Sequence, residues 1–236
     1  MRDRPEFSKK NILTIAVILI LFPVTLYLSS MADRNYYLTS LLFIVYAMIP
    51  FFVSFEKRRP EAKELVIIAV MCAIIVVSRA IFIWVPHFKP ITGVIIICGI
   101  AFGPQVGFLC GSVSAFVSNF IFGQGPWTPW QMFAFGMAGF ISGLLFKKSL
   151  LSLKKLNLSI YGVILVMLMV GPLLDTAALF IMASEVTKEV ALTTYIAGLP
   201  VNAVHATATF LTLWLVSKPM LEQLDRIKKK YGILED

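Results

Sequence analysis

The sequence predicts an all-α integral membrane protein with eight helices. A two-helix hairpin over residues 1–57 precedes a six-helix core with a basic tail over 58–236. Three observations favour this class. The 236-residue chain is 58% hydrophobic with a mean hydropathy of +0.85, which exceeds the apolar content of ordinary soluble domains. Several apolar stretches reach about the 20 residues that cross a bilayer as a helix. Basic residues gather in alternate loops.

Apolar runs separated by turn residues set the expected helices. They cover about 11–30, 37–54, 63–85, 91–102, 105–122, 129–147, 158–183 and 190–217. The first follows a basic N-terminus, but its apolar run is long for a signal peptide, so we expect a retained helix. The fourth is short, and only Phe102-Gly103-Pro104 separates it from the fifth.

The distribution of positive charge fixes the expected orientation. Nearly all Lys and Arg residues fall in the N-terminus, the second loop, the loop after the sixth helix and the C-terminus. Only Arg34, Lys89 and Lys188 lie in the opposite loops, and Arg79 lies within an apolar helix. The positive-inside rule therefore predicts that both termini are cytoplasmic. The net charge of +8 reports this orientation and is no sign of nucleic-acid binding.

Motifs for catalysis, nucleotide binding and metal binding are absent from the sequence. There is no P-loop, HExxH, G-x-S-x-G or pair of carboxylates. The three cysteines lie in apolar runs, which is typical of packing residues rather than disulfides. His87 has no second ligand at metal-binding spacing. The absent nucleotide motif argues against a primary pump, and we predict no metal site.

Two charges stand alone inside apolar segments, Arg79 in the third predicted helix and Asp175 in the seventh. A charge at membrane depth costs about 2.5–3.5 kcal/mol on insertion scales, so such residues face a protein interior or a wet cavity. Both fall toward the outer end of their helices. We expect both residues to line a polar pocket that opens outward. The alternative is an Arg79–Asp175 ion pair, which is compatible with such a pocket.

The loop from Phe122 to Met132 combines two glycines, two prolines and two tryptophans. Prolines stiffen such a loop and glycines let it turn. An interfacial aromatic belt would account for the tryptophans, but it leaves the Gly-Pro framework unexplained. We therefore predict a substrate-binding loop on the outer face. Its candidate residues are Phe122, Trp127, Thr128, Trp130 and Gln131.

Further candidates come from a second outer loop and from the last two helices. Phe88 and Lys89 lie between two prolines and could close one side of the pocket, or belong to an exposed turn. Asn202 and His205 share one helix face, and with Asp175 they would form a polar floor under the aromatic loop. The alternative for Asn202 and His205 is a hydrogen bond between helices that fixes packing only.

Small residues recur at four-residue spacing in three predicted helices, which allows close helix approach. They are Ala69 with Ala73, Gly107 with Gly111, and Gly139 with Gly143. Internal packing is the expected role of the glycines.

These features resemble the S component of an energy-coupling factor (ECF) vitamin transporter, over residues 63–217. The resemblance rests on the six-helix core, the Ala69-x-x-x-Ala73 element and the outer loops. The run Gly-Pro-Trp-Thr-Pro-Trp-Gln-Met, residues 125–132, is similar to the loop of S components assigned to cobalamin. The hairpin at 1–57 departs from that six-helix pattern.

The resemblance implies a mechanism and a set of partners. An S component captures a vitamin outside the cell and delivers it to a transmembrane coupling subunit with two ATPase subunits. Ala69 and Ala73 would contact the coupling subunit. Cobalamin would be the transported substrate, and the membrane would be that of a prokaryotic cell. The chain would have no enzymatic activity of its own and no permanently bound cofactor.

Three alternatives stay open at the level of sequence. The nearest is an S component for another vitamin or small metabolite. A proton-coupled secondary carrier would use Asp175 as its proton site. An intramembrane enzyme would use Asp175 and His205 as acid and base.

Overall fold

The protein is described by a computed structural model over residues 36–57 and 61–232. These residues form seven helices. They are α1 Tyr36–Lys57, α2 Ala62–Ala80, α3 Ile91–Phe102, α4 Pro104–Phe122, α5 Thr128–Lys147, α6 Lys155–Met182 and α7 Lys188–Tyr231. The helix predicted over residues 11–30, and with it half of the predicted hairpin, lies outside the described residues.

Helices α4, α5, α6 and α7 are each long and apolar enough to span a bilayer. Helix α3 is different, because its 12 residues give a length of only about 18 Å. All of its residues except Ala101 are buried. A helix that is hydrophobic on every side belongs in the interior, and α3 lies at the centre of the largest apolar cluster. Its bounds agree with the sequence prediction.

Glycines bring α3, α4 and α5 into backbone contact. A Cβ placed on Gly107 of α4 would lie 2.6 Å from the Gly139 carbonyl oxygen of α5, and one on Gly139 would collide with the Gly107 carbonyl. Gly99 of α3 meets the same Gly139 carbonyl, and Gly111 meets the Phe135 carbonyl. The predicted packing role of the small-residue pairs in α4 and α5 is therefore confirmed.

Helix α1 packs on the outside of this centre, against α4, α5 and α6. Its Phe51 ring stacks on Phe108 of α4 with centroids 4.1 Å apart, and Phe52 meets the same ring edge-on at 5.9 Å. Such aromatic pairs add about 0.5–1.5 kcal/mol beyond their buried area. The described helix of the predicted hairpin is thus joined to the core by aromatic side chains.

Two lysine side chains connect helix ends through hydrogen bonds at one end of the bundle. The Nζ of Lys63, at the start of α2, donates to the Tyr231 carbonyl at 3.2 Å. The Nζ of Lys228 donates to the Ala101 carbonyl at 2.9 Å. The start of α2 and the ends of α3 and α7 therefore share one end. This is the end where the sequence predicts cytoplasmic positive charge, and Arg79 lies toward the other.

Helix α2 ends at Ala80, five residues before the predicted end. The following residues form turns, with the Ile83 amide donating to the Ala80 carbonyl. Lys89 donates from Nζ to the carbonyls of Phe82, at 2.7 Å, and Val85, at 3.4 Å. The lysine thus satisfies carbonyls that a continued helix would have used. Apolar residues alone led the prediction to extend this helix.

Helix α7 runs to Tyr231, whereas the sequence predicted an end at 217. The apolar run does stop there, and Pro219 lies just beyond it. The helix nevertheless continues because its last turns are amphipathic, with Leu224 buried and Asp225 paired to Lys229 at 2.6 Å. The hydropathy pattern therefore predicts where the membrane-spanning segment ends, but it does not predict where the helix itself ends.

The α4–α5 contact predicts a specific sensitivity. Gly139→Ala should destabilise the protein by about 1–3 kcal/mol, because the added methyl group meets the Gly107 carbonyl and the helices must separate. Thermal unfolding of the detergent-purified protein measures the effect as a lower Tm. Met137→Leu on the same helix is the matched control, since it conserves volume at a half-buried position. Equal Tm values for the two variants would contradict the close contact.

Candidate functional site

Arg79 is buried near the outer end of α2, and neutral side chains bind it. Its Nη1 donates to the Ser118 hydroxyl and to the Asn119 Oδ1, the latter at 2.9 Å. Both partners lie on α4. The guanidinium carbon also lies 4.3 Å from the centroid of the Phe122 ring, at the end of the same helix. The charge is therefore held by α4 through two hydrogen bonds and a cation–π contact.

Asn119 is the junction between Arg79 and the aromatic loop. Its Oδ1 accepts from Arg79, while its Nδ2 donates to the Thr128 hydroxyl at 3.0 Å and to the Gln131 Oε1 at 2.9 Å. Thr128 and Gln131 lie in the first turn of α5. One buried amide side chain thus links α2, α4 and α5 at the outer end of the bundle.

Thr128 also fixes the loop that precedes α5. Its hydroxyl accepts from the Gly125 amide at 3.2 Å and donates to the Gln124 Oε1 at 2.9 Å. The chain turns at Gly123, whose φ of +99° lies in a region that strongly favours glycine. Loop residues 123–127 are therefore set by backbone and side-chain bonds to the same network that holds Arg79.

The two tryptophans of the loop have different environments. Trp127 is 40% exposed, lies against Gly125 and donates from Nε1 to the Gly123 carbonyl at 3.3 Å. Trp130 is 6% exposed and lies 6.1 Å from the Phe180 ring of α6. Its Nε1 is buried and has no hydrogen-bond partner among the described residues. A buried indole N–H without an acceptor is uncommon in proteins and calls for an explanation.

Lys89 approaches the same aromatic ring as Arg79. Its Nζ lies 5.0 Å from the centroid of Phe122. Burial, and then the nearby charge of Arg79, lower the pKa of Lys89. The structure therefore brings Arg79 together with Lys89 and Phe122, two of the side chains that the sequence analysis named as candidates for the outer pocket.

Asp175 accepts a hydrogen bond from the Asn202 Nδ2 at 2.7 Å, which joins α6 to α7. Next to it, the Thr176 and Tyr195 hydroxyls are 2.8 Å apart. Helix α6 contains a π-helical turn at Val166–Val170 just before these residues, and such turns are frequent at functional sites.

His205 has a separate set of contacts. Its Nε2 lies 2.9 Å from the Thr92 hydroxyl of α3, and its ring meets Phe135 at 6.1 Å. It is buried, as is Asn202. Within the described part of the chain, no hydrogen bond joins Asp175, Asn202 or His205 to the aromatic loop. The single polar floor expected from sequence is therefore divided between two helix interfaces.

The Arg79–Asp175 ion pair, which the sequence analysis left open as an alternative, is not formed. Both residues lie in the described region and each has another partner, Ser118 and Asn119 for Arg79 and Asn202 for Asp175. The sequence analysis missed Ser118 and Asn119. A signal was present, since Ser118 and Asn119 are adjacent polar side chains in the outer half of the predominantly apolar α4.

Comparison with known proteins identifies the family. A model of the ECF-type riboflavin transporter, S component, matches residues 60–222, well over half of the chain. The chain belongs to this family. Its members are transporter components rather than enzymes, so the intramembrane-enzyme alternative is set aside. The matched region begins just before α2 and excludes α1.

Curated relatives of this S component are bacterial proteins. A UPF0397 protein of Vibrio atlanticus (strain LGP32) is 33% identical over 89 residues, which are 36% of this chain and 48% of the relative. A UPF0397 protein of Aliivibrio fischeri (strain MJ11) is 32% identical over the same shares of each chain. The chain thus spans about half the length of the curated relatives it matches. No solved structure matches it significantly.

Ala69 and Ala73 of the S component lie on the exposed face of α2. Ala73 borders an apolar groove of about 650 Å³ between α2 and α7, with Val94 of α3 also lining it. Arg79 occupies the opposite, buried face of the same helix. The structure therefore separates the small-residue surface of α2 from the polar network at its outer end.

The position of Asn119 at the junction leads to a second prediction. Asn119→Ala should destabilise the S component by about 2–4 kcal/mol, because it leaves a buried guanidinium and two buried polar groups with fewer partners. The measurement is thermal unfolding in detergent. Thr207→Ala, at an exposed position on α7, is the control and should change stability by less than about 0.5 kcal/mol. Similar losses in both variants would refute the junction role.

Proposed function

We propose that this chain is the substrate-binding membrane subunit of an ECF-type importer and that its substrate is cobalamin. The observation that carries the proposal is the outer-end site, in which a rigid aromatic loop is fixed to a buried polar network. Family membership supports the transporter role. The substrate would be captured from the outer side at residues 122–131 and passed to partner subunits that supply energy.

The free groups of the site suit a large substrate with amide side chains. Trp127 is partly exposed and offers an indole face, and Phe122, five residues earlier in the sequence, is half-buried. Among the described residues, the Trp130 N–H has no acceptor and the Gln131 Nε2 makes no hydrogen bond. Cobalamin presents both a wide macrocycle for stacking and peripheral amides for these donors. A small number of placed polar groups in an apolar site gives such specificity.

Riboflavin is the second candidate, because the matching family is described by that vitamin. Its isoalloxazine ring is flat and would also stack on Trp127, and its ring carbonyls would accept from the Trp130 N–H. It is much smaller than cobalamin. The two vitamins therefore compete for one proposed site and are distinguished by direct binding.

Energy for uptake would come from partner subunits. The sequence holds no nucleotide-binding motif, so we propose a transmembrane coupling subunit and two ATPase subunits as partners. Exposed Ala69 and Ala73 would let a helix of the coupling subunit approach α2 closely. Asp175 is the residue that a proton-coupled carrier would use, and uptake that persists after ATP depletion would favour that alternative.

Calorimetric titration of the detergent-purified chain tests the substrate. We expect saturable binding of cyanocobalamin at about one per chain and weaker or no binding of riboflavin. Trp127→Ala should weaken binding about tenfold or more, since stacking on one aromatic ring is worth about 1–3 kcal/mol. Trp130→Phe keeps the ring and removes the unpaired donor, so it should weaken binding while leaving Tm unchanged or higher.

Trp84→Ala is the matched control for these variants, because Trp84 lies in the other outer loop and is 90% exposed. It should bind like the wild type. Unchanged affinity in both Trp127→Ala and Trp130→Phe would rule out the loop as the site. Tight binding of riboflavin without binding of cobalamin would make riboflavin the substrate, and the proposed S-component role would stand.

The prediction about partner subunits concerns the exposed face of α2 that contains Ala69 and Ala73. Ala69→Trp and Ala73→Trp should leave vitamin binding intact and abolish ATP-dependent uptake, because the bulky ring prevents close helix approach. Co-purification with the coupling subunit and ATPases measures assembly. Leu168→Trp is the control, at a 75% exposed position on α6. Normal assembly and uptake in both alanine variants would show that the coupling subunit binds elsewhere.

A further inference from the structure

Two of the positive side chains at the outer end of the bundle, Arg79 and Lys89, have no hydrogen bond or ion pair to a carboxylate among the described residues. Arg79 bonds to the neutral side chains of Ser118 and Asn119, and Lys89 bonds to the carbonyls of Phe82 and Val85. The ion pairs of the described residues use Lys63, Lys218 and Lys229, which belong to the opposite end of the bundle. Burial, and then the like charge of Arg79, lower the pKa of Lys89.

The two cations converge on one ring. The Arg79 guanidinium carbon lies 4.3 Å and the Lys89 Nζ lies 5.0 Å from the Phe122 centroid. The first turn of α5 joins this group through Asn119, so the positive end of that helix dipole adds to the same potential. Positive charges gathered without a counter-charge in a site of low dielectric destabilise the protein, unless an anion binds.

The donors that such an anion needs are available. Arg79 uses only Nη1 in hydrogen bonds to the described residues, which leaves Nη2 and Nε unused. Lys89 has three N–H donors, of which two are occupied. Arginine binds carboxylate and phosphate oxygens in a bidentate geometry, and a lysine beside it adds a point charge.

We propose that Arg79 and Lys89 form an anion-binding subsite that receives a phosphate or carboxylate group of the substrate beside the Phe122 ring. The inference rests on the proposed function, because it assigns the chemical class of one substrate group. It assigns Arg79 a binding role in place of the ion pair with Asp175. The same anionic chemistry is also present in a phospholipid headgroup, and the experiment separates the two sources.

The substrate arm compares ligands that differ in a phosphate. Flavin mononucleotide differs from riboflavin by the phosphate alone, and cyanocobalamin differs from dicyanocobinamide by the nucleotide loop that contains its phosphodiester. Arg79→Met and Lys89→Met should each weaken binding of the phosphate-bearing ligand about tenfold or more. They should change binding of its partner ligand less than about threefold. Lys188→Met, an exposed cation at the start of α7, is the control and should change neither.

Several outcomes would overturn the subsite. Equal losses for ligands with and without phosphate would show that Arg79 and Lys89 act on the fold rather than on an anion. If Arg79→Met fails to fold, Lys89→Met gives the answer alone, because Lys89 lies in a loop. Selective loss of phosphatidylglycerol relative to phosphatidylcholine from the variants in native mass spectrometry, with vitamin binding unchanged, would assign the anion to lipid and overturn the substrate claim.

A separate measurement keeps the subsite distinct from the proposed function. If the wild-type chain binds none of the four vitamin ligands, the proposed substrates fail, and inorganic phosphate becomes the probe. Phosphate should then raise Tm above the value in chloride of equal ionic strength. The rise should disappear in Lys89→Met and persist in Lys188→Met. An equal Tm in phosphate and chloride would overturn the subsite independently of any vitamin.

Discussion

Backbone contact among α3, α4 and α5 is the constraint on which the rest of the structure depends. Gly107 and Gly139 leave no room for a side chain between α4 and α5, so the two helices cannot shift relative to each other without losing packed surface. This fixes the distance between the end of α4 and the start of α5. The five-residue connection from 123 to 127 then has little conformational freedom, and Asn119 can reach Thr128 and Gln131 across the gap. A close apolar contact in the centre therefore determines a polar site at the outer end.

The buried cation of α2 shows how that polar site is stabilised. A guanidinium in an apolar helix needs partners, and α4 supplies a hydroxyl, an amide oxygen and an aromatic face. None of these neutralises the charge. The arrangement therefore holds Arg79 in one orientation while its electrostatic potential remains unbalanced. Asp175 does not compensate it, because its hydrogen bond to Asn202 holds α6 against α7. The two intramembrane charges thus serve different interfaces.

Sequence reasoning succeeded where one local signal determines the structure. The turn at Gly103-Pro104 sets the bounds of α3 and α4, and four-residue glycine spacing identifies the α4–α5 contact. It failed where the outcome depends on which helices are neighbours. Pairing Arg79 with Asp175 assumed that opposite charges at similar depth meet, but α2 packs on α4 and α3, and α6 packs on α7. Asn119 was overlooked because one amide side chain within a predominantly apolar helix forms no recognisable motif. Its importance comes from three partners on two other helices.

Helix α2 relates the proposed capture site to the proposed partner surface. Its buried face carries Arg79 and its exposed face carries Ala69 and Ala73. Because residues 62–80 form one uninterrupted helix, the two faces move as a unit. A ligand that binds Arg79 would fix the outer end of α2 against α4 and thereby limit the orientations available to the alanine face. Coupling between the sites requires only that the partner prefers one of these orientations, so it needs no rearrangement within the glycine-packed centre.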